Sequence, residues 1–264
     1  MSGIVKIEAL TAMMESFGLK HAPRQLADIM ESSEASEATY REFLHTLLTA
    51  EVKGRNERKR KRNYAAAHFP PNVRDIAEFD CTELESGITP GQIAQLEELN
   101  WLDAKGNIIF AGPPGLGKTM LSVGLGLHAV NEGYTVAFEK MDDLVGILDS
   151  AETERNAGFR LRYIRRCQLC IIDEIGYTPI SRTQANRFFN FISDTYERTS
   201  IIFTTNKQMP EWAEMMGDPV LTTAMMDRIL HHARCFSLSG KSYRLKYPDI
   251  LGDGNRPQET DGEG

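Results

Sequence analysis

The chain has 264 residues, of which 41% are hydrophobic and 25% are charged, as is typical of a soluble globular protein. This length allows a sizeable core and predicts one large domain with a small appendage, or two small domains. There is no run of about 18 apolar residues, which excludes a helical membrane span, and the N-terminus lacks the apolar segment of a secretory signal. We therefore expect a cytoplasmic protein without membrane partners.

Charge is distributed unevenly. The formal net charge is −7, but residues 51–62 hold seven basic and two acidic side chains, so the remainder of the chain carries −12. Most such runs are solvated helix faces, but repulsion among so many cations lowers helix stability, and nucleic-acid phosphates would relieve it while releasing counterions. We therefore predict contact with a nucleic-acid backbone, without base reading. The candidate DNA-binding residues are Lys53, Arg55, Arg58, Lys59, Arg60, Lys61 and Arg62.

Residues 1–68 are predicted to form a small all-α N-terminal domain. Apolar residues recur at helical spacing over 9–17, and a second short helix is expected over 23–30. Thr39 and Glu42 have the spacing of a capping box, which predicts the start of a third helix that runs into the basic segment.

A break follows at the sequence His-Phe-Pro-Pro, residues 68–71, because a residue before proline disfavours the helical region. We place a domain boundary there. Residues 69–101 are predicted to be a linker with a lead-in helix over about 90–99, and residues 102–250 the larger domain. The polar, glycine-rich residues 251–264 are predicted to be a disordered tail.

Apolar strands alternate with helices from residue 107 onward. Strands are predicted at 107–111, 135–139, 169–173, 200–204 and 235–238, and helices at 119–131, 142–151, 183–197 and 225–232. Because this alternation requires crossover connections, it predicts a parallel five-stranded sheet flanked by helices. The expected fold class is therefore α/β, preceded by the helical N-terminal domain.

The first of these strands leads directly into a complete phosphate-binding loop of the form G-x-x-x-x-G-K-[ST]. Glycines let backbone N–H groups turn toward phosphate oxygens, and the start of a helix favours negative charge. Lys118 is expected to contact the outer phosphates and Thr119 to ligate Mg²⁺, so the predicted cofactors are ATP and magnesium. The loop consists of Gly112, Pro113, Pro114, Gly115, Leu116, Gly117, Lys118 and Thr119.

Two acidic residues end the strand at 169–173. Asp173 is expected at the carboxyl edge of the sheet, where ligands of parallel sheets bind, and would hold magnesium through water. Glu174 is the better candidate for orienting and activating the attacking water. An isolated Asp-Glu pair would be a solvated strand end, but here it follows a complete phosphate-binding loop. The pair favours ATP hydrolysis.

Two further polar residues have both a structural and a functional interpretation. Asn206, at the end of the next strand, either forms a turn or hydrogen-bonds the γ-phosphate or the lytic water. Arg228 is either a surface ion-pair partner or an arginine finger that reaches the nucleotide of a neighbouring subunit. We expect the functional role for Asn206.

The cysteines and paired histidines are expected to be structural. Cys167 and Cys170 are predicted to lie in or just before a strand and to point to opposite faces, which disfavours a redox or metal role. His231 and His232 with Cys235 invite a metal hypothesis, but adjacent side chains on a helix diverge by about 100°. No fourth ligand is near in sequence, so a metal site is not expected there.

Together these motifs resemble the AAA+ ATPases of the initiator and helicase-loader clade. The match is close to the IstB-type transposition helper ATPases, relatives of the DnaC helicase loader. The resemblance covers nearly the whole chain, and it depends on residues 107–115, 172–177, 227–232 and 240–246.

The resemblance implies Walker A, Walker B, first-sensor and arginine-finger roles for Lys118 with Thr119, Asp173 with Glu174, Asn206, and Arg228, respectively. It further implies a homo-oligomer with ATP at subunit interfaces, assembly on duplex DNA, and cooperation with an IstA-type transposase in target selection. Only 24 residues follow Gly240, too few for the usual helical lid domain of AAA+ proteins. Our candidate for the second-sensor arginine is Arg244.

The leading hypothesis is an ATP-dependent DNA-binding protein that assists a transposase and hydrolyses ATP to ADP and phosphate. The alternative is a DnaC-like replicative helicase loader that acts through protein contacts, with the basic segment on single-stranded DNA or an acidic partner. A nucleotide kinase is disfavoured by Glu174 and Asn206 and by the lack of an identifiable acceptor site.

Overall fold

A computed structural model of the protein describes residues 6–208 and 210–242. The chain divides into two compact units, one of residues up to 66 with 130–133, and one of residues 67–129 with those from 134 onward. None of the helices in the described part of the chain is both long and apolar enough to span a membrane. Arg244 and the tail predicted at 251–264 lie outside the described residues.

From residue 6 onward, the smaller unit is built from three helices: α1 (Ile7–Ser16), α2 (Ala22–Ala35) and α3 (Tyr40–Ala67). The α3 helix begins at the predicted capping box, where the Thr39 N–H donates to Glu42 Oε2 over 2.8 Å and the Glu42 N–H donates to Thr39 Oγ1 over 3.4 Å. The helix continues without a break through the basic segment, as predicted.

A buried carboxylate joins α3 to the start of α2. Glu51 is 4% exposed and accepts hydrogen bonds from the backbone N–H groups of Lys20, His21 and Ala22. These include N–H groups at the N-terminus of α2 that have no partner within the helix. The Arg55 guanidinium donates to the same carboxylate over 2.7 Å. Burial acts to raise the pKa of Glu51, but these hydrogen bonds lower it to about 2.

The strands of the larger unit in the described part of the chain are β1 (Leu84–Ser86), β2 (Asn107–Ala111), β3 (Val136–Lys140), β4 (Leu169–Ile175), β5 (Ser200–Thr205), β6 (Ala233–Ser237) and β7 (Ser239–Gly240). Five of them form the predicted parallel sheet. The strand order in this sheet is β3-β4-β5-β2-β6, which sequence analysis did not address. A short antiparallel pair, β1 with β7, was not predicted.

The described part of the larger unit also contains eight α-helices. They are α4 (Pro90–Glu97), α5 (Asn100–Asp103), α6 (Lys118–Asn131), α7 (Met141–Ser150), α8 (Arg155–Ile164), α9 (Arg182–Thr195), α10 (Glu211–Met216) and α11 (Pro219–Leu230). Sequence analysis did not predict α5, α8 or α10. The α11 helix begins six residues before the predicted start, because the Asp218 side chain caps it and Pro219 suits its first turn. It ends at Leu230, two residues before the predicted end.

The core lies against the central strands of the sheet. All six residues of β5 are buried, as expected for a parallel strand covered on both faces. The fully buried Trp212 packs edge-on against Phe203 with ring centroids 6.3 Å apart, a favourable aromatic geometry.

The expectation that the buried Cys167 and Cys170 point to opposite faces of a strand is wrong. Cys167 precedes β4 whereas Cys170 lies within it, so strand alternation does not apply to the pair, and their side chains are hydrogen-bonded. The Cys167 thiol also donates to the Ile164 carbonyl oxygen over 3.0 Å. The Cys167 contact and burial raise the pKa of Cys170 well above its usual value, so the reactive thiolate is suppressed.

Candidate nucleotide-binding site

The phosphate-binding loop connects β2 to α6. Gly112 has φ +145° and Gly117 has φ +81°, values that L-residues with a Cβ rarely adopt. A Cβ would also collide with the Leu238 carbonyl oxygen at the first position and with the Phe79 ring at the second. The loop therefore depends on glycine for both its backbone conformation and its close packing.

Lys118 and Thr119 open α6 at the predicted place. Lys118 Nζ donates to the carbonyl oxygens of Gly112 and Pro113, each over 2.7 Å, so the ammonium lies against its own loop. Thr119 Oγ1 donates to Asp173, at 3.0 Å from Oδ1 and 3.1 Å from Oδ2. The two predicted magnesium ligands are thus in direct contact.

Asp173 is 2% exposed at the carboxyl end of β4. Burial raises the pKa of this carboxyl group, whereas hydrogen bonds from Thr204 and Thr119 oppose the rise. Hydroxyl and carboxylate oxygens are the hard ligands that Mg²⁺ accepts. A divalent cation would also stabilise the buried negative charge, so the residues present fit a magnesium ion.

Glu174 follows in an uncommon conformation. Its φ of +63° lies in the left-handed region, which few residues other than glycine adopt. Its N–H donates to Thr204 Oγ1 over 2.9 Å, and Thr204 Oγ1 in turn donates to Asp173 Oδ1. One threonine on β5 therefore positions both acidic residues. The Glu174 carboxylate forms an ion pair with Lys140, at the end of β3, over 2.9 Å.

Asn206 lies just beyond the end of β5. Its Oδ1 atom is buried and has no hydrogen-bond partner within the described residues. Buried polar atoms are nearly always hydrogen-bonded, so this oxygen fits a donor on a ligand or a bound water.

A cavity of about 700 Å³ joins these groups, a volume within the usual range for small-molecule sites. Most of the predicted loop, Glu174 and Asn206 line it. So do residues of the region predicted as a linker, among them Pro70, Val73 and Phe79. Sequence analysis assigned these residues no binding role, because no local motif accompanies them. Lys241 also lines the cavity and was likewise missed.

Arg228 is not part of this cavity. It lies on α11, where its Nη1 donates to the Ala224 carbonyl oxygen over 2.7 Å and its guanidinium lies 5.0 Å from the Phe189 ring centroid. The structure thus brings together the loop, both acids and Asn206 but leaves Arg228 apart.

The predicted DNA-contacting cations lie along α3. Arg55 pairs with Glu51 and donates to the Gly18 carbonyl oxygen over 3.1 Å, so it has a structural role that was not predicted. Lys61 pairs with Glu57 over 2.7 Å. All seven predicted cations are exposed: Lys53, Arg55, Arg58, Lys59, Arg60, Lys61 and Arg62.

A basic concavity of about 420 Å³ extends this surface. Arg58 and Lys61 of α3 line it together with Lys20 and Arg24, and Glu57 is the acidic residue among them. The two additional cations were missed because they lie far away in sequence and belong to no charge run.

The chain is similar to known ATP-binding proteins. The family model described as IstB-like ATP binding protein matches residues 12–249. A relative from Pseudomonas aeruginosa, the insertion sequence IS21 putative ATP-binding protein, is 36% identical over 90% of this chain and 89% of its own. The insertion sequence IS5376 putative ATP-binding protein of Geobacillus stearothermophilus is 38% identical over 82% of this chain and 85% of its own.

Two solved structures are similar to this chain in fold. DnaI matches with a TM-score of 0.54 at 17% identity, over 65% of this chain and 95% of its own. DnaA bound to AMPPCP and single-stranded DNA matches with a TM-score of 0.52 at 15% identity, over 72% of this chain and 58% of its own. The chain therefore has a P-loop AAA+ fold and belongs to the family of IstB-like ATP-binding proteins.

Proposed function

We propose that this protein is an AAA+ ATPase that binds duplex DNA and assists a transposase, hydrolysing ATP to ADP and phosphate. The observation that carries the ATPase part is the convergence of the loop, Glu174 and Asn206, with its unsatisfied oxygen, on one cavity, where Asp173 contacts the lining residue Thr119. The names of the relatives, which are insertion-sequence proteins, support the transposition part.

Each residue has a defined role in hydrolysis. The loop N–H groups and Lys118 hold the β- and γ-phosphates, and Lys118 leaves the carbonyl oxygens of Gly112 and Pro113 to do so. Thr119 and Asp173 would hold Mg²⁺, which would neutralise charge that develops on the phosphates. Glu174 accepts a proton from the attacking water, and Asn206 orients that water or the γ-phosphate.

A second protomer completes the site. Arg228 lies on α11, outside the cavity of its own chain, and an arginine supplied from outside stabilises charge in the transition state of phosphoryl transfer. We assign Arg228 this role in a neighbouring subunit, so that ATP lies at the interface of a homo-oligomer. Arg244, outside the described residues, remains our candidate for a further phosphate contact.

DNA binding is assigned to the helical N-terminal region, residues 1–68, and hydrolysis to residues 102–250. The exposed cations of α3, with Lys20 and Arg24, support contact with the DNA backbone, which is dominated by charge neutralisation. Arg55 contributes less to DNA binding than its neighbours because Glu51 already engages it. The proposed partner is an IstA-type transposase.

A helicase loader is the alternative. The likeness to DnaI concerns the fold at 17% identity, whereas the relatives that are more than 30% identical are insertion-sequence proteins. We therefore retain transposition as the proposed process.

Fluorescence anisotropy with labelled duplex and single-stranded DNA, in ATP and in ADP, tests this proposal. We expect tighter binding to duplex DNA in ATP than in ADP, with affinity that falls steeply as salt rises. Lys53→Ala combined with Arg60→Ala should weaken binding, whereas Lys105→Ala, which removes a cation from the other unit, should not. Preference for single strands together with a stable complex with a hexameric helicase would overturn the proposal in favour of the loader.

A further inference from the structure

Three metal-ligating side chains converge on the surface of the larger unit. Glu197, His231 and His232 each offer one ligand atom, and these atoms all lie within 4.8 Å of one another. The expectation that the two histidines diverge is wrong, because α11 ends at Leu230 and the rings lie beyond it, with centroids 4.1 Å apart. The third member is a carboxylate and not the thiol of Cys235.

The distances fit a shared cation better than a direct ion pair. His232 Nε2 lies 3.5 Å from Glu197 Oε1, longer than a normal hydrogen bond. Bonds of about 2.0–2.2 Å to a tetrahedral Zn²⁺ place neighbouring ligand atoms about 3.3–3.6 Å apart. The observed separation is therefore that of two adjacent ligands around one ion.

His231, the third candidate ligand, has its ring held by a hydrogen bond. Tyr196 Oη and His231 Nδ1 lie 2.7 Å apart and share a hydrogen bond, which leaves Nε2 of that ring available. Metal-bound histidines characteristically use their second ring nitrogen in this way, and such contacts fix the tautomer and the ring orientation.

The backbone that carries the histidines is also held in place. Asn107 donates its N–H to the His232 carbonyl oxygen over 2.9 Å and its side-chain amide to the Ile229 carbonyl oxygen over 3.0 Å. Its side-chain oxygen accepts the Ile201 N–H over 2.9 Å. Asn107 thereby ties the end of α11 to the starts of β2 and β5.

We propose that Glu197, His231 and His232 form a binding site for a divalent transition-metal ion of the Zn²⁺ class. Two imidazoles and one carboxylate are a typical zinc donor set, with the fourth position left to water. The site lies where β5 and β6 begin, at the edge of the sheet opposite the phosphate-binding loop, so it is separate from the magnesium ligands. A bound ion would join the end of α11, the helix of Arg228, to the end of α9.

The nearby charges make the carboxylate indispensable. Lys105 and Arg228 line the small cavity beside Glu197 and His232, and both repel a cation. Glu197→Gln removes the charge that offsets this repulsion while it keeps the shape of an exposed side chain, so it is the most informative variant.

Titration of the EDTA-treated, full-length protein with Zn²⁺ alone, followed by calorimetry, and with Co²⁺, followed by visible absorption, tests the site. We expect one ion per chain and a tetrahedral Co²⁺ spectrum, with affinity at least tenfold lower in Glu197→Gln and in His232→Gln. Tyr196→Phe should weaken binding about tenfold without changing the Co²⁺ spectrum.

Matched controls separate this site from other histidines and thiols. His45→Gln, on exposed α3, and Cys235→Ser should bind Zn²⁺ like the parent, and far-ultraviolet circular dichroism should show that every variant is folded. Absence of saturable binding, equal affinity in Glu197→Gln, or loss of the site in Cys235→Ser would overturn the proposal. None of these readouts depends on ATP or DNA.

Discussion

Lys140 Nζ and Glu174 Oε2 form an ion pair over 2.9 Å that links the ends of adjacent strands β3 and β4. The hydrogen bond and charge of Glu174 raise the pKa of Lys140. Lys140 therefore binds the carboxylate that we propose as the general base for hydrolysis. Glu174 has to dissociate from Lys140 before it can accept a proton from water.

Replacement of Lys140 with Gln should therefore raise basal ATP turnover. The pair is partly exposed, and such pairs contribute at most about 1 kcal/mol, so the increase should not exceed about fivefold. Steady-state ATPase measurements test this, with Arg165→Gln, which breaks the similarly exposed pair with Asp194, as the matched control. A rate tenfold below the parent would instead show that Lys140 assists the reaction.

Glu174→Gln should retain ATP binding and lower turnover by at least about 100-fold, since general-base catalysis contributes about 10²–10⁴. Trapped in its ATP-bound form, the variant should stay on duplex DNA longer than the parent. Single-turnover hydrolysis and DNA dissociation rates measure the two effects. Turnover equal to that of the parent would remove Glu174 from the mechanism.

Thr204→Val should impair magnesium use. Thr204 donates to Asp173 and accepts the Glu174 N–H, so its loss leaves both groups misplaced and the Mg²⁺ concentration for half-maximal activity should rise. Thr205→Val is the matched control. This neighbour is equally buried, but its hydroxyl donates a hydrogen bond to the Ile175 carbonyl oxygen and not to Asp173. Each change should cost about 1–3 kcal/mol of unfolding free energy. An identical Mg²⁺ dependence in the two variants would contradict the assigned role.

Glu51 should make the stability of the protein depend on pH. Its folded pKa of about 2 lies below the usual value of 4.5, so its contribution is fully present above pH 4.5 and is lost as pH falls toward 2. The shift corresponds to on the order of 3 kcal/mol.

Denaturant unfolding at several pH values, for the parent and for Glu51→Gln, tests this dependence. The difference in unfolding free energy should be largest above pH 4.5 and should shrink on acidification. Glu57→Gln breaks only the exposed pair with Lys61 and should have a small effect at every pH. A constant difference between parent and Glu51→Gln from pH 7 to pH 3 would be incompatible with this account.

Local patterns were sufficient to predict β2, the loop at 112–119 and the acids at the end of β4, because spacing and strand context carry that information. The β1–β7 pair was missed because each strand is short and its partner lies far away in sequence. Contacts between distant segments were missed for the same reason, including Lys140 with Glu174 and Glu197 with the paired histidines.

Complementation between two inactive variants tests the central claim most directly. Lys118→Ala removes the phosphate contact and Arg228→Ala removes the finger, so each variant alone should hydrolyse ATP poorly. Mixed on DNA, they form some interfaces that contain both an intact Lys118 and an intact Arg228 from different chains, and ATPase activity should partly recover. No recovery on mixing, or full activity of Arg228→Ala alone, would contradict a site completed by a second protomer.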